Sequence, residues 1–365
     1  MLTLKIHNFR IQLNKIYNFK LIIKVLLFLS LLIGGCSTSP TKQTYQIFWP
    51  SDPENARIKY EVTLRNQASL NEVSIEKRLR NAALGEASSN QQGLIKPYDV
   101  VALKGLVAVS DSLLGTVHVF DITRKKMFAI GWRGKGQLKK PVGLGMDAQQ
   151  NIYVADAALG MVVKFDPRGH FLSKIGNKSE FSRVIDVAVG PQTQRVYVLD
   201  RGGIDSSKHQ ISVFTNDGDF IRTIGNRGHG DGEFNHPIQI AIDKQEQLYV
   251  LDAGNFRVQV FDNNGQFLFN WGRLGKALGN LARPRGIAVD GLSRVYISDA
   301  AFQNFQIFTK AGELLINVGS GGGEDLPGQY LLPAGIAVDE SGKIFLVDQI
   351  RRKVDVFSLL DYDGK

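Results

Sequence analysis

The chain has 365 residues, of which 43% are hydrophobic and 22% charged, an ordinary globular balance that excludes a disordered chain. Its single cysteine excludes an internal disulfide, a zinc finger and an iron–sulfur cluster. The net charge of +9 suggests a nucleic-acid binder only until it is divided by position: residues 1–35 hold Lys5, Arg10, Lys15, Lys20 and Lys24 and no acid, leaving only +4 for the rest.

A basic stretch ending at Lys24 is followed by the apolar run Val25–Ile33 and then Gly34-Gly35-Cys36. At a helical rise of 1.5 Å per residue the run reaches roughly 14 Å, well short of a ~30 Å hydrocarbon core. Charged, apolar and small residues in that order describe a secretory signal over 1–35. The cysteine directly after Ile33-Gly34-Gly35 resembles a bacterial lipobox. The resemblance implies that Cys36 is lipidated and becomes the mature N-terminus, an anchor that acyl chains hold firmly at about 0.8 kcal/mol per buried CH₂. Ser37, where an acidic residue would resemble an inner-membrane retention signal, implies the periplasmic side of the outer membrane. Residues 36–55 then read as lipidated cysteine and polar tether.

Alternation over Ala56–Arg65 predicts a strand, and Val73, Ile75, Leu79 and Leu84 predict a short helix over 71–84. Beyond residue 96 one pattern repeats six times. Six short β-type runs each end in aspartate, at Asp111, Asp156, Asp200, Asp252, Asp299 and Asp348. A phenylalanine follows nine residues later in five copies, at Phe120, Phe165, Phe261, Phe308 and Phe357. In the third copy a longer loop delays it to Phe214. Each unit contains four short alternating runs separated by Gly, Asn and Asp turns, and none sustains a helical period. Four antiparallel strands per repeat predict a blade, and six repeats an all-β, six-bladed β-propeller over 96–365. The last repeat stops at its third strand, Lys353–Phe357. An uncovered edge is unfavourable, so the 56–65 strand is expected to complete blade six and close the ring.

The stretches Asn226–Asp243 and Leu248–Asp262 are close to the consensus of the NHL repeat, and the resemblance covers roughly residues 95–360. More narrowly, the whole chain resembles the secreted six-bladed propeller lipoproteins of bacteria. Unrelated functions use this repeat, so the resemblance implies the fold and not an activity. Nucleic-acid binding, which the resemblance admits for some members, conflicts with the export signal and the near-balanced charge of the remainder.

The six recurring aspartates are expected to fasten turns, since a group present in every blade serves the blade. The blade-to-blade connections and the loops between second and third strands should open on one face. There Gly131–Lys140 and Gly272–Arg283 carry bases and no acid. Arg133, Lys135, Lys139 and Lys140, with Arg273, Lys276 and Arg283, are the expected contacts to a protein or anionic envelope ligand. Trp132 and Trp271 would add aromatic surface or pack the blades. Arg351-Arg352-Lys353 should open on the same face. Around the axis, three blades carry Gly143, Gly286 and Gly335, and three carry Asp99, Asp186 and Gln239. These last either bond neighbouring backbone or hold a hard cation such as Ca²⁺. His229, Asp231 and His236 form a second, weaker metal candidate. No Gly-x-Ser-x-Gly elbow, His-Glu-x-x-His or Walker loop occurs. The expectation is therefore a lipid-anchored binding or scaffold propeller. The alternative is a metal-dependent lyase or lactone hydrolase using Asp99, Asp186 and Gln239.

Overall fold

Within each repeat the second strand is apolar on both faces, whereas the outer strand alternates. This is the pattern expected when inner strands lie between neighbouring sheets and outer strands face water on one side. In a computed structural model, which describes residues 47–52, 54–71, 93–203 and 206–360, the second strands Ile152–Asp156 and Leu248–Asp252 are buried throughout. The outer strand Phe267–Trp271 alternates between half-buried and exposed.

Six antiparallel sheets result, five of them with their strands in chain order from the axis outward. The inner strands are Pro97–Leu103, Pro141–Met146, Val184–Val189, Pro237–Ile242, Pro284–Val289 and Pro333–Val338, and they define blades 1 to 6. Blade 6 takes its outer strand from Ile58–Leu64, which pairs antiparallel with Lys353–Leu359, as the uncovered edge required. The sheet also includes a further short strand, Phe48–Trp49, inside the stretch read as tether. Trp49 packs edge-on against Phe357 with ring centroids 5.4 Å apart. Of the helix expected over 71–84, Asn71 is described and caps a 3₁₀ turn at Gln67–Leu70, and the rest lies outside the described residues.

The apolar core is divided among the blade junctions. Each buried cluster joins one blade to the next, as Val117, Val119 and Ile130 of blade 1 meet Val154, Val163 and Phe165 of blade 2. Closure couples the chain ends through side chains as well. Thr63 Oγ1 donates to Asp355 Oδ1 at 2.6 Å, and Arg65 pairs with Asp325 and donates to the Arg351 carbonyl.

That network corrects one expectation. Of Arg351-Arg352-Lys353, only Arg352 is exposed. Lys353 is 1% exposed, with Nζ 2.9 Å from Asp355 and 3.3 Å from Asp325. Arg351 donates to the Gly322 carbonyl at 2.6 Å. The acidic 5–6 connection folds back over these bases because a buried cation requires a partner.

Candidate functional site: the axial mouth and the inter-blade loop face

Every inner strand carries an irregularity in register near its start, between Pro97 and Val100 in blade 1 and between Pro237 and Gln239 in blade 4, for example. A bulge re-aims the residues it contains, and here it directs Asp99, Asp186 and Gln239 to the axis. All three are buried. Each accepts a backbone amide from the inner strand of the following blade: Leu144 N to Asp99 Oδ2 at 2.8 Å, Ile240 N to Asp186 Oδ2 at 2.8 Å, and Ile287 N to Gln239 Oε1 at 2.7 Å. Gln239 Nε2 also donates to Asp99 Oδ1 across the channel at 2.7 Å. The three glycines make room. A methyl group at Gly143 would overlap Asp186, and one at Gly335 would overlap Asp99.

Burial raises both carboxyls above the usual range. Asp99 reaches about 7, against backbone and Gln239 hydrogen bonds that favour its charged form. Asp186 is also raised well above that range, by desolvation and then by the Asp99 charge. Asp186 Oδ1 has no hydrogen-bond partner. The space between these groups is about 10 Å³, room for roughly one water molecule. One free oxygen is far from the six to eight that Ca²⁺ takes. Among the described residues no three His, Cys, Asp or Glu side chains gather as a metal site. His229 bonds Asn255, Asp231 bonds Asn270, and His236 stacks near the buried His209, so that trio does not converge.

The recurring aspartates are clamps. Asp156 Oδ2 accepts the amides of Lys139 and Lys140 at 2.7 and 2.9 Å, and Oδ1 those of Ala158 and Leu159, both at 2.9 Å. One oxygen thus holds the incoming connection and the other the loop between second and third strands. Asp111, Asp299 and Asp348 repeat the arrangement.

The predicted contact residues divide into two sectors. Trp132, Arg133 and Lys135 line a pocket of about 290 Å³ between blades 1 and 2, together with Phe165, His170 and Phe171. Trp132 is 52% exposed, and the Arg133 guanidinium carbon lies 3.9 Å from its ring centroid. His170 Nδ1 is 2.8 Å from Asp166 Oδ2. Lys139 and Lys140 are exposed further along the same connection, outside the pocket lining, their backbone held by Asp156. Arg273, Lys276 and Arg283 belong to the 4–5 connection, three blades away and so on the opposite side of the ring. Arg273 Nε is bonded to Asn280. Trp271 is a packing residue: it lies 5.0 Å from the Phe308 ring, in the junction of blades 4 and 5. Cys36 lies outside the described residues. His170 and Phe171 were not legible in the sequence, because they belong to the next blade and only packing between blades sets them in one pocket with Trp132.

Residues 193–271 match a family model described as a 6-bladed beta-propeller. The mouse peptidyl-glycine alpha-amidating monooxygenase is 33% identical over 154 residues, 38% of this chain and 15% of that protein. The chain therefore spans a small part of that relative's length. Among solved structures, a gluconolactonase from Xanthomonas campestris superposes with a TM-score of 0.55 at 14% identity, covering 73% of this chain and 86% of the other. Virginiamycin B lyase from Staphylococcus aureus gives 0.52 at 14% identity, with 73% and 95% covered. At such identities the likeness is one of fold: the chain is an all-β, six-bladed propeller of four-stranded antiparallel blades.

Proposed function

We propose that this propeller is a binding module, anchored through a lipidated Cys36 to the periplasmic side of a bacterial outer membrane, that engages an anionic envelope partner on its inter-blade loop face. The observation that carries the reading is the pocket between blades 1 and 2. An exposed tryptophan stacked by an arginine, with Lys135 beside it, offers an apolar platform and uncompensated positive charge in one concavity. Lys139 and Lys140 carry that charge along the same connection toward the inner strand of blade 2. The opposite sector, Lys276 and Arg283, is a separate contact area for a large partner.

A lyase or lactone hydrolase centred on Asp99, Asp186 and Gln239 is the weaker reading. Their oxygens are largely committed to backbone amides, and the axial space admits about one water and no organic substrate. The fold likeness to a gluconolactonase and a lyase carries no residue-level argument.

The test is chemical crosslinking in the native envelope, comparing wild type with a variant in which Arg133, Lys135, Lys139 and Lys140 are all glutamine. Recovery of the crosslinked partner is expected to fall about tenfold while the melting temperature stays within a few degrees of wild type. Unchanged recovery rejects the patch.

A further inference from the structure

The residue just before each inner strand occupies an equivalent place in all six blades, so these positions encircle the mouth of the channel. They are Lys96, Lys140, Arg183, His236, Arg283 and Leu332, and none is acidic. In five blades the backbone at this place is fixed by the clamp aspartate, as in Arg183 N to Asp200 at 2.7 Å and Arg283 N to Asp299 at 3.0 Å. The basic side chains are exposed. Their charge is presented by rigid backbone and not by mobile loops.

Two further arginines lie inside this circle. Arg285 occupies the bulge of blade 5, lines the axial cavity, and sits with its guanidinium carbon 6.0 Å from the Tyr98 ring centroid. Arg201 follows the clamp aspartate of blade 3 and is half-buried. Its backbone N donates to the Arg183 carbonyl at 3.1 Å, which sets the two arginines side by side at the end of blade 3, and burial with the positive charges of Arg183 and Arg285 disfavours its charged form. Among the described residues none of the three takes part in an ion pair; Asp205, in the loop after Arg201, is outside those residues. The nearest acids on the axis, Asp99 and Asp186, are themselves held toward their neutral forms by burial. Like charges gathered around the half-buried Arg201 and Arg285 are unfavourable by themselves, and a bound anion relieves them.

We infer that Arg183, Arg201 and Arg285 form an anion site over the channel mouth, with the chemistry to take a phosphate-type dianion. Planar guanidinium forks from blades 3 and 5 would meet the tetrahedral oxygens, and Tyr98 of blade 1 would close a third side. The proposal does not rest on the pocket between blades 1 and 2, since none of its residues lines that pocket. The dianion is either free inorganic phosphate or the head of a phosphomonoester.

The test is calorimetric titration of the full chain in detergent at low salt and pH 7.5, with inorganic phosphate and with glycerol phosphate as separate arms. Saturable 1:1 binding that weakens with salt is expected in at least one arm. Binding in both assigns the shared dianion; binding of inorganic phosphate alone assigns the free ion. Arg201→Gln and Arg285→Gln should each weaken binding about tenfold, whereas Lys126→Gln, an exposed base on the outer strand of blade 1, should leave it unchanged. Because each axial variant removes like-charge repulsion, both should melt no lower than wild type without phosphate, a result that a structural role for these arginines would not give. No saturable heat from either compound up to about 10 mM, or affinity unchanged in both axial variants, overturns the proposal.

Discussion

Replacing Asp156 by asparagine changes one atom of the clamp and nothing in its volume. The carboxylate is fully buried and accepts four amides, two on each oxygen. In the asparagine variant one oxygen becomes an NH₂ group that faces two N–H donors, so two charge-assisted bonds are lost. At about 1.5–3 kcal/mol each, and allowing water to reach the loosened loop, the lower figure is the appropriate one, about 3 kcal/mol in total. For a propeller of this size that corresponds to a fall in melting temperature of about 4–5 °C. The exposed Asp219→Asn is the control and should remain within about 0.5 kcal/mol of wild type. Denaturant unfolding measures the first quantity. Amide exchange localises it, since protection should drop at residues 139 and 140 or at 158 and 159, according to which oxygen is replaced. A variant as stable as the control, with all four amides still protected, would refute the view that these aspartates hold the connections.

Two further outcomes follow from the axial ring. The folded chain retains protons on Asp99 and Asp186 that the unfolded chain releases near pH 4, so stability should fall as pH rises from about 4 through about 7, where Asp99 titrates. Asp186→Asn keeps an oxygen for Ile240 N and removes one titrating partner of the pair. Its melting temperature should fall less across that window and exceed that of wild type at pH 8, and equal slopes in melts from pH 5 to 8 would refute this. Gly143→Ala places a methyl against the side chain and backbone of Asp186, which cannot retreat, and should cost about 3 kcal/mol. Gly203→Ala meets nothing within 4 Å and should be near neutral in the same denaturant titration.

The fold was legible because a propeller blade repeats short-range information. Runs such as Tyr249–Asp252 and Arg257–Phe261 state strand, turn and strand locally, and six copies fix the number of blades. The clamp role of Asp111, Asp156 and their equivalents was legible for the same reason. The sites were less so. Trp132, Arg133 and Lys135 stood out as a basic, aromatic connection, but Trp271 in the equivalent region of blade 4 is packed away, because Gly312 of the next blade leaves space for its ring. Arg351 and Lys353 read as exposed bases, and their burial depends on Asp325, a residue of another connection, reaching back over them.

Repetition, alternation and the missing last strand therefore belong to the sequence by itself: six sheets, their turns, and closure by residues 58–64 follow from local propensity and from the cost of an open edge. Tertiary structure alone decided which charges meet. The bulges that turn Asp99, Asp186 and Arg285 toward the axis, and the blade packing that sets His170 in one pocket with Trp132, bring together residues dozens of positions apart. No periodicity records such a meeting, because it is set by how sheets pack and not by what any one strand prefers.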